Sequence, residues 1–169
     1  MSPTLRTGSV DATRALGEAI AALVWPGDVV LLAGELGAGK TAFVQGFARG
    51  LGVTEAVTSP TFVLARDYAG GRLPLHHLDV YRLDQLNEVL DIGLPELLDD
   101  GGVVVVEWGD AILPVLPPEY LEVRLSFGEG DDDREIVVRG VGSTWASRLA
   151  ALGRAIEPWQ ASATGGGAC

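Results

Sequence analysis

Eight consecutive residues carry the clearest chemical signal in the sequence. From Gly34 to Thr41 they spell G-E-L-G-A-G-K-T and match the pattern G-x-x-x-x-G-K-[ST] in full. In this pattern the glycines permit a tight loop whose N–H groups point at phosphate, the lysine reaches the β and γ oxygens, and the hydroxyl ligates Mg²⁺. Lys40 is the single lysine of the chain and occupies the lysine position. The sequence therefore predicts a phosphate-binding loop; the alternative is a structural glycine-rich turn.

Two acidic residues near predicted strand ends are candidates for metal and catalytic roles. Glu107 closes a run of four valines, at the carboxyl edge where an open α/β sheet faces its nucleotide. Asp79 shares one strand face with His77 and Tyr81, because side chains alternate along a strand. A phosphate-binding loop needs an acid to hold Mg²⁺ and a group that orients or deprotonates the nucleophile. We expect Asp79 and Glu107 to fill these roles; a strand-end salt bridge and a satisfied polar face are the alternatives.

The nucleotide base is indicated by a missing element. Guanine-specific GTPases with such a loop usually carry an N-K-x-D element, and that element needs a second lysine. Since Lys40 already belongs to the loop, the chain has no lysine left for it. ATP with Mg²⁺ is the predicted cofactor.

The elements flanking the loop are those that position it. Val29 to Ala33 is apolar on both faces, as expected for a strand covered on both sides of a parallel sheet. From Thr41 onward, apolar residues recur at four-residue steps and predict an amphipathic helix. Another amphipathic helix, capped at Asp11, precedes the strand and stops at Pro26-Gly27.

The rest of the chain predicts a single α/β domain. Further strands are expected over 62–68, 73–81 and 103–106, followed by a hairpin between 121 and 138 and a helix over 143–156. Together these elements predict the three-layer fold of P-loop nucleoside triphosphatases, with a mostly parallel central sheet that also contains antiparallel strands. We expect the domain to span 1–157 and the Gly/Ala-rich stretch 158–169 to be a disordered tail.

The amino-acid composition argues against several classes of binding partner and indicates the cellular compartment. Twelve basic against 23 acidic residues give a net charge of −11, which argues against direct binding of RNA or DNA. The single cysteine, Cys169, excludes an internal disulfide and a multi-thiolate metal site. No apolar run approaches the ~18 residues of a membrane span. The sequence predicts a cytoplasmic protein without membrane contact.

Four motifs in this order and spacing closely resemble those of the TsaE family, small bacterial ATPases of tRNA threonylcarbamoyladenosine biosynthesis. They are the phosphate-binding loop, T-S-P-T-F at 58–62, H-L-D-V-Y-R at 77–82 and V-E-W at 106–108. The similarity covers roughly Ser9 to Arg139. It implies an ATPase that binds the TsaB and TsaD subunits and keeps their complex turning over, while TsaD modifies adenosine 37 of tRNAs reading ANN codons. Because the chain is acidic, tRNA contact is expected only through these partners.

The resemblance also implies roles for individual residues. Lys40 and Thr41 bind phosphate and Mg²⁺, while Asp79 and Glu107 act on the metal and the attacking water. Segments 59–62 and 79–82 are switch-like segments that sense the nucleotide. Two loop positions depart from the family pattern: position 35 commonly holds Asp and position 42 commonly holds Thr. The predicted nucleotide-binding residues within and beside the loop are Gly34, Glu35, Leu36, Gly37, Ala38, Gly39, Lys40, Thr41 and Ala42.

Four further residues are weaker candidates. Arg134 resembles an arginine that begins the family's last hairpin strand; it either forms a salt bridge inside the hairpin or contacts nucleotide. Thr13 is expected near the base. Trp108 follows Glu107 and is either near the nucleotide or a buried aromatic. Arg82 is either an arginine finger acting within the chain or part of a structural ion pair.

Two other functions remain open from the residues alone. A small P-loop kinase of a metabolite would need a positive clamp, for which Arg49, Arg66, Arg72 and Arg82 are available. A non-hydrolysing nucleotide sensor would need only segments that order on binding.

Overall fold

The computed structural model describes residues 2–58, 65–80, 94–107 and 117–161, and these residues form one seven-stranded sheet with helices on both faces. The strands are β1 (Thr4–Thr7), β2 (Val29–Gly34), β3 (Ala65–Tyr68), β4 (Leu75–Asp79), β5 (Val103–Glu107), β6 (Tyr120–Phe127) and β7 (Arg134–Val141). The helices are α1 (Val10–Ala21), α2 (Lys40–Gly50), α3 (Leu94–Leu98), α4 (Ser143–Ala146) and α5 (Leu149–Ile156).

The strand order is β1-β7-β6-β2-β5-β4-β3. The pairs β6/β2, β2/β5 and β5/β4 are parallel, and the outer pairs β1/β7, β7/β6 and β4/β3 are antiparallel. Five strands therefore share one direction, since β1 is antiparallel to β7, which is itself antiparallel to β6. This arrangement confirms the predicted fold class. It also brings the carboxyl ends of β2, β5 and β4 to one edge of the sheet.

The central strands are buried on both faces, which explains their continuous apolar runs. On β2, Val30 and Leu32 join the core beneath α1, α2 and α5, whereas Val29 and Leu31 join a second core with the apolar residues of α3. Helices thus cover both sides of the sheet, giving three layers. No helix among the described residues is long and apolar enough to span a membrane.

Helix α1 packs directly on the backbone of α2. A Cβ on Gly46 would lie 1.8 Å from the carbonyl oxygen of Arg14, and one on Gly17 would lie 2.3 Å from that of Phe43. Glycine is required at both positions because no side-chain carbon fits between the helices. The α1 layer is therefore held against the helix that begins at the phosphate-binding loop.

The predicted cap of α1 is wrong. Ser9, not Asp11, is the N-cap, and its hydroxyl accepts a hydrogen bond from the N–H of Ala12 at 3.0 Å. Asp11 lies in the first helical turn, where its carboxylate pairs with Arg14 at 2.9 Å. Serine and aspartate are both good N-caps. The helical spacing of the apolar residues does not show which of the two begins the helix.

The C-terminal part of the fold also differs from the prediction. The helix expected over 143–156 is two helices, because Arg148 leaves the helical path at the junction and points into the protein. It is 5% exposed and donates to both carboxylate oxygens of Asp28, while its guanidinium stacks on the rings of Trp25 and Trp145.

The chain is still ordered where the sequence predicts a tail to begin. Glu157–Trp159 forms a 3₁₀ turn, Gln160 pairs with Leu5 of β1, and the N–H of Ala161 donates to Thr4. Strand β1 was itself not predicted. The remainder of the proposed tail, including Cys169, lies outside the described residues.

Candidate functional site

The predicted phosphate-binding loop connects the carboxyl end of β2 to the first turn of α2, as its sequence predicts. Gly39, the last loop residue, adopts a left-handed conformation with φ of +105° and stands at the N-cap of α2. This φ value is one that side-chain-bearing residues rarely adopt. Since glycine has no side-chain oxygen to cap the helix, the N–H groups at the start of α2 are left for another acceptor. Phosphate is a suitable acceptor for such groups.

Lys40 is buried against its own loop. Its Nζ donates to the carbonyl oxygen of Gly34 at 2.5 Å and to that of Glu35 at 3.1 Å, and the residue is 7% exposed. Burial lowers the pKa of Lys40, while the negative charges of Glu107 and Asp79 oppose this change. The ammonium group is therefore held where both predicted carboxylates act on it.

Asp79 and Glu107 end neighbouring strands and face each other in register. Both are buried, with exposures of 7% and 2%. The strand ends are joined by a hydrogen bond from the N–H of Val80 to the carbonyl oxygen of Glu107 at 3.2 Å. The structure thus brings both acids and Lys40 together at the edge where the loop leaves β2.

The remaining loop residues differ in exposure. Leu36 is 86% exposed and Glu35 and Gly37 are also exposed, whereas Ala38 is fully buried. Thr41 and Ala42 lie in the first turn of α2 and are half-buried. The hydroxyl-bearing residue of the motif therefore directly follows the buried lysine.

Arg134 joins the C-terminal hairpin to the phosphate-binding loop. Its Nε donates to the carbonyl oxygen of Ala38 at 3.1 Å and its Nη2 to that of Gly37 at 3.2 Å. Inside the hairpin, Nη1 donates to the carbonyl oxygens of Asp131 and Asp133. These hairpin contacts are with backbone oxygens, whereas the alternative from the sequence was a salt bridge with a carboxylate. A contact with the loop that the sequence did not reveal accompanies them.

Thr13 lies under the loop. It is buried, its hydroxyl is 2.8 Å from that of Thr7, and its methyl group lies 3.7 Å from the position of a Cβ built on Gly39. A cavity of about 210 Å³ adjoins this region and is lined by residues of β1, the turn after it and the C-terminal hairpin. The lining residues are Arg6, Thr7, Gly8, Gly128, Glu129, Asp133, Arg134 and Glu135.

The two adjacent histidines lie on opposite faces of β4, as strand geometry requires. His76 Nδ1 is 2.8 Å from Asp67 Oδ1, and its Nε2 is 2.9 Å from Asp100 Oδ2. His77 instead contacts Glu107 at 3.1 Å. They do not form a metal-binding pair. The contact of His77 with Glu107 is the site feature that sequence reasoning missed, although the shared strand face of His77 and Asp79 pointed toward it.

Several predicted site residues lie outside the described residues. These are the segment 59–62, residues 81 and 82 of the second switch-like segment, and Trp108.

Comparisons with known proteins agree with the sequence resemblance. The family model described as "Threonylcarbamoyl adenosine biosynthesis protein TsaE" matches residues 7–136. A tRNA threonylcarbamoyladenosine biosynthesis protein TsaE from Bacillus subtilis is 44% identical over 149 residues, covering 88% of this chain and 92% of the relative. The protein of the same description from Streptomyces coelicolor is 45% identical over 140 residues, covering 79% and 94%.

A solved structure has the same fold. The crystal structure of Bacillus subtilis YdiB superposes with a TM-score of 0.77 at 40% identity, covering 91% of this chain and 97% of that chain. With the family match across residues 7–136 and these identities over most of the chain, the protein belongs to the TsaE family.

Proposed function

We propose that this protein is a Mg²⁺-dependent ATPase that supports the TsaB–TsaD complex in forming threonylcarbamoyladenosine at position 37 of tRNAs reading ANN codons. The observation that carries the proposal is the convergence of Lys40, Asp79 and Glu107 beside the phosphate-binding loop. The names of the relatives, tRNA threonylcarbamoyladenosine biosynthesis proteins, support a role in this pathway. The subunit partners are those that the family resemblance implies, whereas ATP and a cytoplasmic location are inferred from the sequence itself.

The loop has the chemistry that a triphosphate needs. Backbone N–H groups at the start of α2 favour an anion, and Lys40 adds a positive charge. We propose that Lys40 exchanges part of its contact with Gly34 and Glu35 for oxygens of the β- and γ-phosphates. Because the lysine is already ordered, less conformational entropy is lost when ATP binds.

The oxygen-bearing residues fit Mg²⁺. Magnesium is usually held by one or two carboxylates together with substrate phosphates and water, and Thr41, Asp79 and Glu107 would supply such ligands. Among the described residues there is no group of three or more His, Cys, Asp or Glu side chains that could hold a metal. The ion would supply neutralisation of phosphate charge.

The two acidic residues and the lysine have different roles in the proposed hydrolysis of ATP. Glu107 orients the attacking water or accepts its proton, and Asp79 would hold Mg²⁺ when the ion is bound. Lys40 stabilises the negative charge on the transferred phosphoryl group, in a buried setting where electrostatic effects are strong. The product is free phosphate, since water is the acceptor.

The base and ribose are proposed to lie on the hairpin side of the loop. The cavity of about 210 Å³ between β1 and the hairpin is lined in part by Arg134. Arg134 bonds the loop backbone directly, and the methyl group of Thr13 lies 3.7 Å from the position of a Cβ on Gly39. These contacts support the sequence-based assignment of both residues to nucleotide binding.

A kinase is the less favoured alternative. Two of the arginines available for a phosphate clamp are engaged with α1: Arg49 pairs with Glu18 at 3.0 Å, and Arg72 donates to the carbonyl oxygens of Ala21 and Val24. Arg82 lies outside the described residues. ATP hydrolysis does not require an arginine clamp of this kind, because its phosphoryl acceptor is water and not an organic molecule.

The proposal is tested in a reconstituted threonylcarbamoylation reaction with TsaB, TsaD, tRNA and ATP. We expect Lys40→Ala and Glu107→Ala to abolish both phosphate release and sustained tRNA modification, while Arg154→Ala, an exposed change on α5, leaves both intact. Undiminished modification with Lys40→Ala would contradict the proposal. Labelled phosphate on an organic acceptor would instead identify a kinase, and nucleotide binding without phosphate release would identify a sensor.

The partner assignment has its own test. We expect the tagged protein to retain purified TsaB and TsaD in a manner that differs between ATP and ADP. Equal absence of both subunits in the two conditions would contradict the assignment.

A further inference from the structure

His77 is completely buried at the candidate site and contacts the side chain of Glu107. Its Nε2 lies 3.1 Å from Oε2 of Glu107, and the two residues have exposures of 0% and 2%. Both side chains come from the middle and the end of neighbouring parallel strands, β4 and β5, which are hydrogen-bonded along their length. The contact is therefore made between two rigid elements, with no loop involved.

The hydrogen bond has a defined direction. Nδ1 of His77 is buried and has no hydrogen-bond partner among the residues that the structure describes. A proton on Nδ1 would leave a buried N–H group without an acceptor, which costs about 1–3 kcal/mol. The network therefore assigns the ring proton to Nε2. His77 donates this proton to Oε2 of Glu107.

This bond determines how the Glu107 carboxylate is presented. A buried carboxylate needs donors to replace the water that it has lost. The bond to His77 stabilises the carboxylate and restricts its rotation. Because Oε2 accepts this bond, Oε1 is the oxygen that faces the reacting water or Mg²⁺ in the proposed mechanism. Groups that orient a catalytic or metal-bound carboxylate in this way commonly affect turnover by about 10- to 100-fold.

We propose that His77 is a positioning residue that holds the Glu107 carboxylate in its productive orientation. The inference rests on the proposed function, because it requires that Glu107 acts in ATP hydrolysis. It adds a residue that does not touch nucleotide and acts only through Glu107.

The experiment compares His77→Leu with His77→Gln. Leucine removes the donor at similar volume, whereas the glutamine amide places an N–H donor close to the position of Nε2. We expect His77→Leu to lower kcat for ATP hydrolysis by about 10- to 100-fold while the affinity for ADP is unchanged, and His77→Gln to restore much of kcat. His76→Gln is the matched control, since it replaces the adjacent histidine on the other face of β4, and its kcat should equal that of the wild type.

A double-mutant cycle separates positioning from a general packing defect. In a Glu107→Gln background the partner of His77 is already altered, so His77→Leu should lower the residual rate little further. Independent effects that multiply in the double variant would overturn the inference. Circular dichroism and thermal unfolding identify the variants that fold; if His77→Leu does not fold, His77→Gln and His77→Asn are compared, since asparagine is too short to reach Oε2.

The outcomes distinguish this inference from the proposed function. A wild-type protein without ATPase activity, alone or with its partners, would overturn both. Wild-type hydrolysis that is strongly reduced in Glu107→Gln but unchanged in His77→Leu would overturn only the positioning role. Weakened ADP binding in His77→Leu with kcat unchanged would also overturn it.

Discussion

Arg134 binds the carbonyl oxygen of Ala38 through its Nε at 3.1 Å, although 96 residues separate them in the sequence. Ala38 is fully buried and immediately precedes Gly39, the left-handed residue at the start of α2. The ring of Phe127 packs under the guanidinium with a centroid distance of 4.8 Å. The C-terminal hairpin therefore contributes directly to the shape of the phosphate-binding loop.

Replacing Arg134 should weaken nucleotide binding. Arg134→Met keeps much of the side-chain length but removes the hydrogen bonds to Gly37 and Ala38, so the loop carbonyls lose charged donors. Such bonds contribute about 1.5–3 kcal/mol each when buried and less at a half-buried site. We expect an ADP affinity about tenfold lower, measured by calorimetry. Arg154→Met, at an exposed position of α5, is the control, and equal affinities for the two variants would contradict the role.

Replacing Thr41 should change the requirement for Mg²⁺. The motif assigns its hydroxyl to the metal, and its place after Lys40 in the first turn of α2 agrees with that role. We expect Thr41→Ala to need a higher Mg²⁺ concentration for half-maximal ATP hydrolysis, because one oxygen ligand is lost. Thr41→Ser retains the hydroxyl and should behave like the wild type. Identical Mg²⁺ titrations for the alanine and serine variants would show that the hydroxyl is not a ligand.

The strand–loop–helix unit could be predicted because its signals are local. The apolar run of β2, the glycines and the periodicity of α2 are all read within about 25 residues of sequence. The meeting of Asp79 with Glu107 also follows, since carboxyl ends of neighbouring parallel strands share one edge. That β4 and β5 are neighbours was not predicted from the sequence, because the polar residues of β4 do not identify its partner strand; the structure shows the pairing.

Contacts between distant segments could not be predicted. Strand β1 has four residues, and its pairing with β7 joins Thr4 to Val137. The break before α5 depends on the ion pair between Arg148 and Asp28, which lies in a turn 120 residues earlier in the chain. Nothing in the local pattern of the C-terminal helix reveals this, because a single arginine is compatible with an uninterrupted amphipathic helix.

The imidazole of His76 should make stability depend on pH. Burial lowers its pKa, but hydrogen bonds with Asp67 and Asp100 outweigh burial and raise the pKa above the ordinary 6.5. Folding therefore favours the protonated ring, and this stabilisation is fully present below about pH 6.5 and is lost as pH rises through the folded-state pKa. Because both carboxylates are largely solvent-exposed, the effect should be modest.

Urea unfolding at about pH 5.5 and about pH 8.5 measures this contribution. The free energy of unfolding of the wild type, relative to His76→Gln, should be larger at the lower pH. At still lower pH the advantage should shrink, since the hydrogen bond from His76 lowers the pKa of Asp100 and this carboxylate is finally protonated. A difference between the two proteins that is constant with pH would contradict the prediction.

The close packing of α1 on α2 predicts opposite effects for two glycine substitutions. Gly46→Ala would place a carbon 1.8 Å from the carbonyl oxygen of Arg14, so the helices must separate; overpacking of this kind costs about 1–3 kcal/mol or more. Gly153 of α5 has no atom within 4 Å of a built Cβ, so Gly153→Ala should stabilise the protein by about 0.5–1 kcal/mol. Thermal unfolding of both variants measures these two changes in stability.

Because α2 begins at the phosphate-binding loop, Gly46→Ala should also weaken ADP binding. A loss of stability with unchanged ADP affinity would mean that the position of α1 does not influence the loop.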